Sequence, residues 1–250
     1  MIRKGVVLAA GKGARLMPLT LAMPKEMIRV GTKPVIEHAL NVLIAGGIQE
    51  VLVVVGRKKE AVTDYLGSGE RLGVEVYFRI QEEPEGTADA VYQARGFVGN
   101  EDFVVIFGDN YLRPPAVMKE VVRFHEEKKA DATVVLHPVK DPTRFGVVKL
   151  DSDGKVIDMV EKPTPEEAEP YKTENGYVNI AGLLILKPLI FSFIEKTAPG
   201  KDGELWLTDS IRLMIKQGRS VYGFLFRGDR YDVGTFESLL EADRLELSNK

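Results

Sequence analysis

The sequence predicts an α/β protein built on a doubly wound sheet, and three observations carry that prediction. Strand-length apolar runs, Val6-Val7-Leu8-Ala9-Ala10 and Val51-Leu52-Val53-Val54-Val55 among them, suit strands covered on both faces. Segments with apolar residues at helical spacing lie between these runs. The alternation continues to about residue 130 and implies right-handed βαβ crossovers.

The elements follow in order. A strand over 5–10 enters a loop in which Gly11 and Gly13 let the backbone turn tightly and approach a ligand. A helix over 34–45 carries Val35, Ile36, Ala39, Leu40 and Leu43 on one face and stops at Gly46-Gly47. Strands over 50–55, 74–80 and 103–107 alternate with helices over 87–95 and 114–129. Beyond residue 130 the pattern changes. Strands are expected over 132–136, 146–150 and 155–160, the last two joined by the turn Asp151-Ser152-Asp153-Gly154. Residues 163–175, rich in Pro, Glu and Thr, read as an exposed loop. A strand over 177–186, helices near 188–196 and 208–217, a last strand over 220–226 and an amphipathic helix over 236–247 complete the chain. With no internal repeat and no long linker, one mixed-sheet domain spans 1–250, in halves 1–130 and 131–235 with a closing helix over 236–250.

Composition narrows the function classes. Hydrophobic residues make 44% of the chain and charged residues 28%, the balance of a soluble globular protein. No apolar run approaches the ~20 residues of a membrane span, and no signal-peptide pattern opens the chain, so a cytoplasmic setting without membrane contact is expected. A net charge of −3 argues against a nucleic-acid partner. The absence of Cys excludes disulfides, zinc thiolates and thiol nucleophiles together.

The chemistry-bearing residues cluster where strands end, which is where open α/β sheets bind ligands. After the first strand, successive N–H groups of the Gly11–Gly13 loop can face an anion, and Arg15 adds a planar cation. This is neither a dinucleotide fingerprint, since Leu16 stands where a third Gly is needed, nor a P-loop, since no Gly-Lys-Ser/Thr follows. Asp109 follows the strand over 103–107, and Asp232 lies in Tyr-Asp-Val-Gly-Thr near the end of the chain. Two such carboxylates could share a divalent cation, or each could cap a helix. Glu161-Lys162 ends a hairpin strand and reads either as a solvated pair or as a ligand contact. Gln81 ends the third strand; Gly86-Thr87-Ala88-Asp89 opens a helix, as a plain helix start or as a contact to a base and ribose. His38, His125 and His137 have no nucleophile or fellow ligand at a useful spacing and read as structural. Trp206 is expected to pack on the core, with Thr208 or Asp209 capping the helix that follows.

Taken in order, Gly11-x-Gly13-x-Arg15-Leu16-x-Pro18-Leu19-Thr20, Pro24-Lys25, Gln81, Gly86-Thr87-Ala88, Gly108-Asp109-Asn110, Phe145-Gly146, Glu161-Lys162-Pro163, Asn179 to Gly182 and Asp232-Val233-Gly234-Thr235 resemble the sugar-1-phosphate nucleotidyltransferases. Ala14 occupies a position often held by Thr in that family. The resemblance implies a Rossmann-like mixed sheet with a small β-hairpin sugar-binding subregion, a Mg²⁺ cofactor, and nucleotidyl transfer from a nucleoside triphosphate to a sugar-1-phosphate. It implies that Arg15 grips the triphosphate, Lys25 neutralises charge near the α-phosphorus, and Asp109 and Asp232 hold Mg²⁺. Lys162 would bind the sugar phosphate, with Glu161, Gly146 and Asn179 facing sugar hydroxyls. Leu8, Ala10, Gly11, Gly13, Gln81, Gly86 and Thr87 would meet the nucleotide. UTP or dTTP with glucose-1-phosphate is the favoured pairing, with adenylyl, guanylyl or cytidylyl transfer as alternatives. The chain stops one helix past Asp232, so an appended β-helix acetyltransferase domain is not expected. A non-catalytic sugar-nucleotide sensor and a nicotinamide-dependent dehydrogenase are the competing readings; oligomeric state is left open.

Overall fold

A computed structural model of the chain describes residues 2–57 and 59–248. The strands are β1 (Lys4–Ala9), β2 (Arg29–Val30), β3 (Lys33–Pro34), β4 (Glu50–Val55), β5 (Glu75–Ile80), β6 (Phe103–Phe107) and β7 (Asn110–Arg113), then β8 (Ala132–Val139), β9 (Val147–Leu150), β10 (Val156–Val160), β11 (Tyr177–Leu186), β12 (Val221–Leu225) and β13 (Asp229–Asp232). The helices are α1 (Leu19–Ala22), α2 (Val35–Ala45), α3 (Glu60–Leu66), α4 (Thr87–Tyr92) and α5 (Arg95–Val98), then α6 (Val117–Lys128), α7 (Pro165–Ala168), α8 (Ile190–Ile194), α9 (Leu207–Lys216) and α10 (Phe236–Ser248).

One mixed sheet carries both halves. Its main path runs β10-β9-β11-β6-β1-β4-β5, with β8 added beside β11 and β12 beside β8. Strands β6, β1, β4 and β5 are mutually parallel, as the first-half alternation requires. Strand β11 runs antiparallel to β6 and joins the second half to the first. Alternation along each parallel strand splits the core between two faces. Val7, Val53 and Ile106 pack with helix α2, while Val6, Val54 and Val105 pack with α4 and α9 residues such as Val91 and Ile211. Burying each such side chain contributes roughly 1.5–3 kcal/mol, which fixes the register of the strand tips that bear the site.

Several expectations need correction. The strand over 220–226 is not the last, because β13 follows it and pairs with β7 as a separate antiparallel ribbon. Both ribbon strands have four residues and lie off the main sheet, so no long apolar run announced them. The expected loop over 163–175 contains α7, whose Thr164 and Glu167 form a reciprocal capping box, a legible signal there. The expected helix over 87–95 is two short helices, α4 and α5, and α3 was not anticipated. The closing helix ends at Ser248, and residues 249–250 lie outside the described residues.

A buried carboxylate on α2 ties the first half together. Glu37 accepts hydrogen bonds from the Tyr65 hydroxyl at 2.6 Å and Arg71 at 3.0 Å, and pairs with Lys33 at 2.9 Å. Burial alone would raise its pKa, but these donors win and hold it at about 2. A depressed carboxyl pKa contributes stability that is complete above its ordinary value near 4.5 and is lost as pH falls through 2. Stability should therefore drop by about 2 kcal/mol between pH 5 and pH 2, discounted for the half-exposed cations. Glu37→Gln should flatten that arm of a denaturation-versus-pH series; an unchanged slope would contradict the assignment.

Candidate active site

The tips of β1, β6 and β13 converge on a cavity of about 400 Å³. On its first wall, Gly13 adopts φ +68°, a left-handed conformation that glycine takes without a Cβ penalty. Its carbonyl accepts from the Leu16 N–H at 3.0 Å and from the Thr20 hydroxyl at 3.0 Å. Leu16 is fully buried, so the segment is anchored while Arg15 projects outward. The loop is also tied from behind. Lys59 donates to the Gly11 carbonyl at 3.0 Å and to the buried Glu26 at 2.6 Å, which fixes Lys25 beside the loop.

The β7–β13 ribbon brings the two carboxylates to one place. Asp232 is in register with Asn110, and the Val233 N–H donates to the Asp109 carbonyl at 2.9 Å. Neither aspartate caps a helix. The Asp109 carboxylate accepts from the Lys25 ammonium, and Asp232 lies 3.7 Å from Arg15. Burial favours the neutral acid at Asp109, but Lys25 outweighs it and holds the pKa low. Lys25 is likewise held above its usual value by Asp109 and Glu26 against the cost of burial. Asp232 is pushed up, first by burial and then by the charge of Asp109. Gly234 packs here because a Cβ would come within 2.9 Å of both Arg15 and Asp232.

The second wall is the hairpin and the segment before α9. Lys162 has φ +41° and sets its ammonium over the Trp206 ring at 3.9 Å, with Asp202 at 3.9 Å. Glu161 accepts from the Thr208 hydroxyl at 2.6 Å, and burial raises its pKa. Gly146 lies between them, where a Cβ would stand 2.9 Å from Glu161 and 3.0 Å from the Thr208 hydroxyl. Trp206 and Thr208 both line the cavity; Trp206 is buried, as expected, and donates to the Lys201 carbonyl at 3.0 Å, whereas neither Thr208 nor Asp209 caps α9, whose first N–H goes to Thr87.

The third wall joins these two. Gln81 is buried and donates its amide nitrogen to the Gly86 carbonyl at 3.2 Å and to Asp89 at 2.6 Å. Both partners are acceptors, so the amide orientation is fixed and Oε1 is the group left over. Gly86 has φ +114°, and a Cβ there would stand 2.4 Å from the Leu205 carbonyl. That close contact docks the Gly86 turn against the α9 approach. The Thr87 hydroxyl then accepts from the Leu207 N–H at 3.0 Å.

Leu8, Ala10, Gly11, Arg15, Lys25, Gln81, Gly86, Thr87, Asp109, Gly146, Glu161, Lys162 and Asp232 all line this one cavity. Gly13 and Asn179 are not on its wall. Gly13 shapes the loop, and strand alternation puts Ile180 on the wall instead of Asn179. Asn179 is buried, donates to the Ile180 carbonyl at 3.3 Å and leaves Oδ1 without a partner among the described residues. The three histidines contact Val30, Thr133 and Gly228, away from the cavity. Arg230 is a cavity residue that the sequence reading did not single out, and Phe145, also on the wall, was read only as part of the Phe145-Gly146 motif. Arg230 sits two positions before Asp232 on β13, and strand periodicity alone would put both on one face.

A divalent cation fits this donor set. Asp109 and Asp232 are hard oxygen donors on one wall, and the repulsion that raises Asp232 is the penalty a cation relieves. No group of three or more acidic or histidine side chains gathers among the described residues. Mg²⁺ suits such a site, since it is commonly held by one or two carboxylates plus substrate phosphates.

Residues 4–249 match the family model described as nucleotidyl transferase. The chain is similar to the low-salt glycan biosynthesis nucleotidyltransferase Agl11 of Haloferax volcanii, at 36% identity over 99% of this chain and 67% of the relative. It is 32% identical to a glucose-1-phosphate thymidylyltransferase of Streptomyces griseus, over 98% of this chain and 66% of that protein. A UTP–glucose-1-phosphate uridylyltransferase of Mycoplasma pneumoniae is 32% identical over 97% of this chain and 91% of its own. The chain therefore spans about two thirds of the first two relatives and nearly all of the third. Among solved structures, UDP-glucose pyrophosphorylase complexed with UDP-glucose matches with a TM-score of 0.90 at 28% identity, over 100% of both chains.

Proposed function

Because the chain belongs to the nucleotidyl transferase family, we propose that it transfers the nucleotidyl group of UTP or dTTP to glucose-1-phosphate, forming a nucleotide-sugar and pyrophosphate. The observation that carries this reading is the convergence of Arg15, Lys25 and Lys162 with the carboxylates Asp109 and Asp232 in one cavity. The uridylyl and thymidylyl transferases among its relatives support the substrate pair.

The reaction is a displacement at the α-phosphorus. An oxygen of the sugar phosphate forms the new P–O bond, and the bond to the β-phosphate breaks as pyrophosphate leaves. Both partners are anions, so the barrier lies in repulsion and alignment rather than in making a nucleophile. The attacking oxygen is ionised at neutral pH, and no general base is needed. Arg15 grips the triphosphate and stabilises the departing pyrophosphate. Lys25, fixed by Asp109 and by the Lys59–Glu26 tie, offsets charge at the α-phosphorus. Asp109 and Asp232 would hold Mg²⁺, which when bound withdraws charge from the phosphate oxygens. Lys162 binds the sugar phosphate; Glu161 and Gly146 face sugar hydroxyls. The nucleotide lies along Leu8, Ala10 and Gly11, with Gly86 and Thr87 at its base end.

The leftover Oε1 of Gln81 bears on the choice of base. Uracil and thymine present a ring N3–H that such an oxygen accepts, whereas adenine N1 and cytosine N3 carry no hydrogen. A matrix of nucleoside triphosphates against sugar-1-phosphates, with Mg²⁺ and read by pyrophosphate, tests the reading. UTP or dTTP with glucose-1-phosphate should give the highest rate, and no pyrophosphate from any pair would overturn it. Lys162→Met should raise the KM for glucose-1-phosphate by about 30-fold, the loss of one charge-assisted hydrogen bond of about 2 kcal/mol. The KM for the triphosphate should stay within about twofold in the same steady-state assay.

A further inference from the structure

We propose that Arg230 is a second phosphate-binding residue of the acceptor side, closing as a fork on the phosphate of the sugar-1-phosphate opposite Lys162. This rests on the function proposed above and assigns that site a group for which the reading so far has no use.

The first observation is that a buried donor of its guanidinium is unspent. Arg230 lines the cavity, yet its Nε is sealed from solvent and has no hydrogen-bond partner among the described residues. Guanidinium carries five N–H donors in a rigid plane, and sequestering them without acceptors is costly. The nearby carboxylates do not meet that need. The Asp109 carboxylate is engaged by Lys25, and Asp232 leans towards Arg15 at 3.7 Å. A cavity-lining guanidinium with an idle donor is arranged for an incoming anion, and a planar fork suits a phosphate's paired oxygens.

The second observation says which phosphate. The Arg230 guanidinium lies over the Phe145 ring, 5.1 Å from its centroid. The Phe145 carbonyl in turn accepts the Lys162 N–H at 3.1 Å, and Lys162 lies over Trp206. Two cavity cations, each backed by an aromatic face, are therefore linked through Phe145, by its ring to Arg230 and by its carbonyl to the Lys162 backbone. Lys25 packs instead against Gly11 and Gly13, and Arg15, carried by the same loop, reaches Asp232 and Gly234. The triphosphate thus has its own cations, and Arg230 falls to the acceptor. The aromatic support also keeps the fork in place before substrate arrives, which lowers the ordering cost of binding.

A purely structural counterion to Asp109 and Asp232 would behave differently, and kinetics separates the two. Arg230→Gln should raise the KM for glucose-1-phosphate at least tenfold and leave the triphosphate KM within twofold. Arg230→Lys keeps the charge and loses the fork, so it should fall between wild type and Arg230→Gln. Calorimetric titration of the Mg²⁺-loaded protein with glucose-1-phosphate alone, and with inorganic phosphate, should show the same order of weakening. Unchanged KM and unchanged binding, or a rise confined to the triphosphate KM, would overturn the proposal. If Arg230→Gln fails to fold, Arg230→Lys decides, because a counterion role predicts wild-type kinetics for it. If the wild type turns over no pair, the proposed reaction fails, and the phosphate titration of wild type against Arg230→Lys still decides this one.

Discussion

Arg15→Ala should lower kcat by about a thousandfold while leaving the melting temperature within about one degree. The split follows from the surroundings of the side chain. Arg15 is half-exposed, and its close ionic contact among the described residues is the 3.7 Å approach to Asp232, a pair of little structural worth. Its backbone is held independently by the buried Leu16 and by the hydrogen bonds to Gly13. Deleting the guanidinium thus costs the fold almost nothing. In the reaction, the same group meets negative charge that grows on the leaving pyrophosphate, a role in which a single arginine contributes ~10³-fold or more. Arg15→Lys should recover part of the rate, since a point charge remains but the two-pronged contact is lost. Rapid-quench measurement of one turnover separates this from slow product release. A variant with kcat within threefold of wild type would place triphosphate handling elsewhere.

Asp109→Asn should be comparably severe in turnover, but with a structural cost that Arg15→Ala lacks. The carboxylate is buried and paired with Lys25, and breaking a buried pair by removing one partner costs about 3 kcal/mol. Glu26 and Asp232 still act on the Lys25 ammonium, which keeps the loss at the low end and the protein folded. The catalytic loss should be about 10³-fold, since the substitution frees Lys25 from its aim and halves the carboxylate pair. The same variant should bind Mg²⁺ at least tenfold more weakly in a calorimetric titration. Wild-type Mg²⁺ affinity with wild-type turnover would remove Asp109 from both roles. The pair of variants also ranks the two carboxylates, because Asp232 has no comparable cation to lose and Asp232→Asn should spare stability.

How much of this was legible depended on how locally each feature is encoded. The parallel strands were readable because burial on both faces forces uninterrupted apolar runs, and Val51 to Val55 leave no other reading. The Gly11–Gly13 loop was readable because a left-handed residue and a close approach strongly favour glycine. The β7–β13 ribbon was not. Its pairing joins residues far apart in sequence, and neither strand is long enough to show a pattern. Missing the ribbon hid Arg230, which lines the cavity beside Asp232 with its guanidinium over the Phe145 ring. Trp206 packs inward, as a tryptophan in an apolar stretch is expected to, but nothing local announces the Lys162 ammonium over its ring, which a left-handed residue on the hairpin brings there. Thr208 shows a short-range signal overruled by tertiary structure, since its hydroxyl serves Glu161 on the hairpin instead of capping its own helix.

The central claim is that positive charge brings two phosphates into line for one direct displacement, with no covalent bond to the protein. The configuration at the α-phosphorus tests it most directly. Transfer from the Sp diastereomer of uridine α-thiotriphosphate to glucose-1-phosphate should invert that centre, as a single in-line step requires. Retention would mean two displacements through a nucleotidylated side chain and would contradict the account.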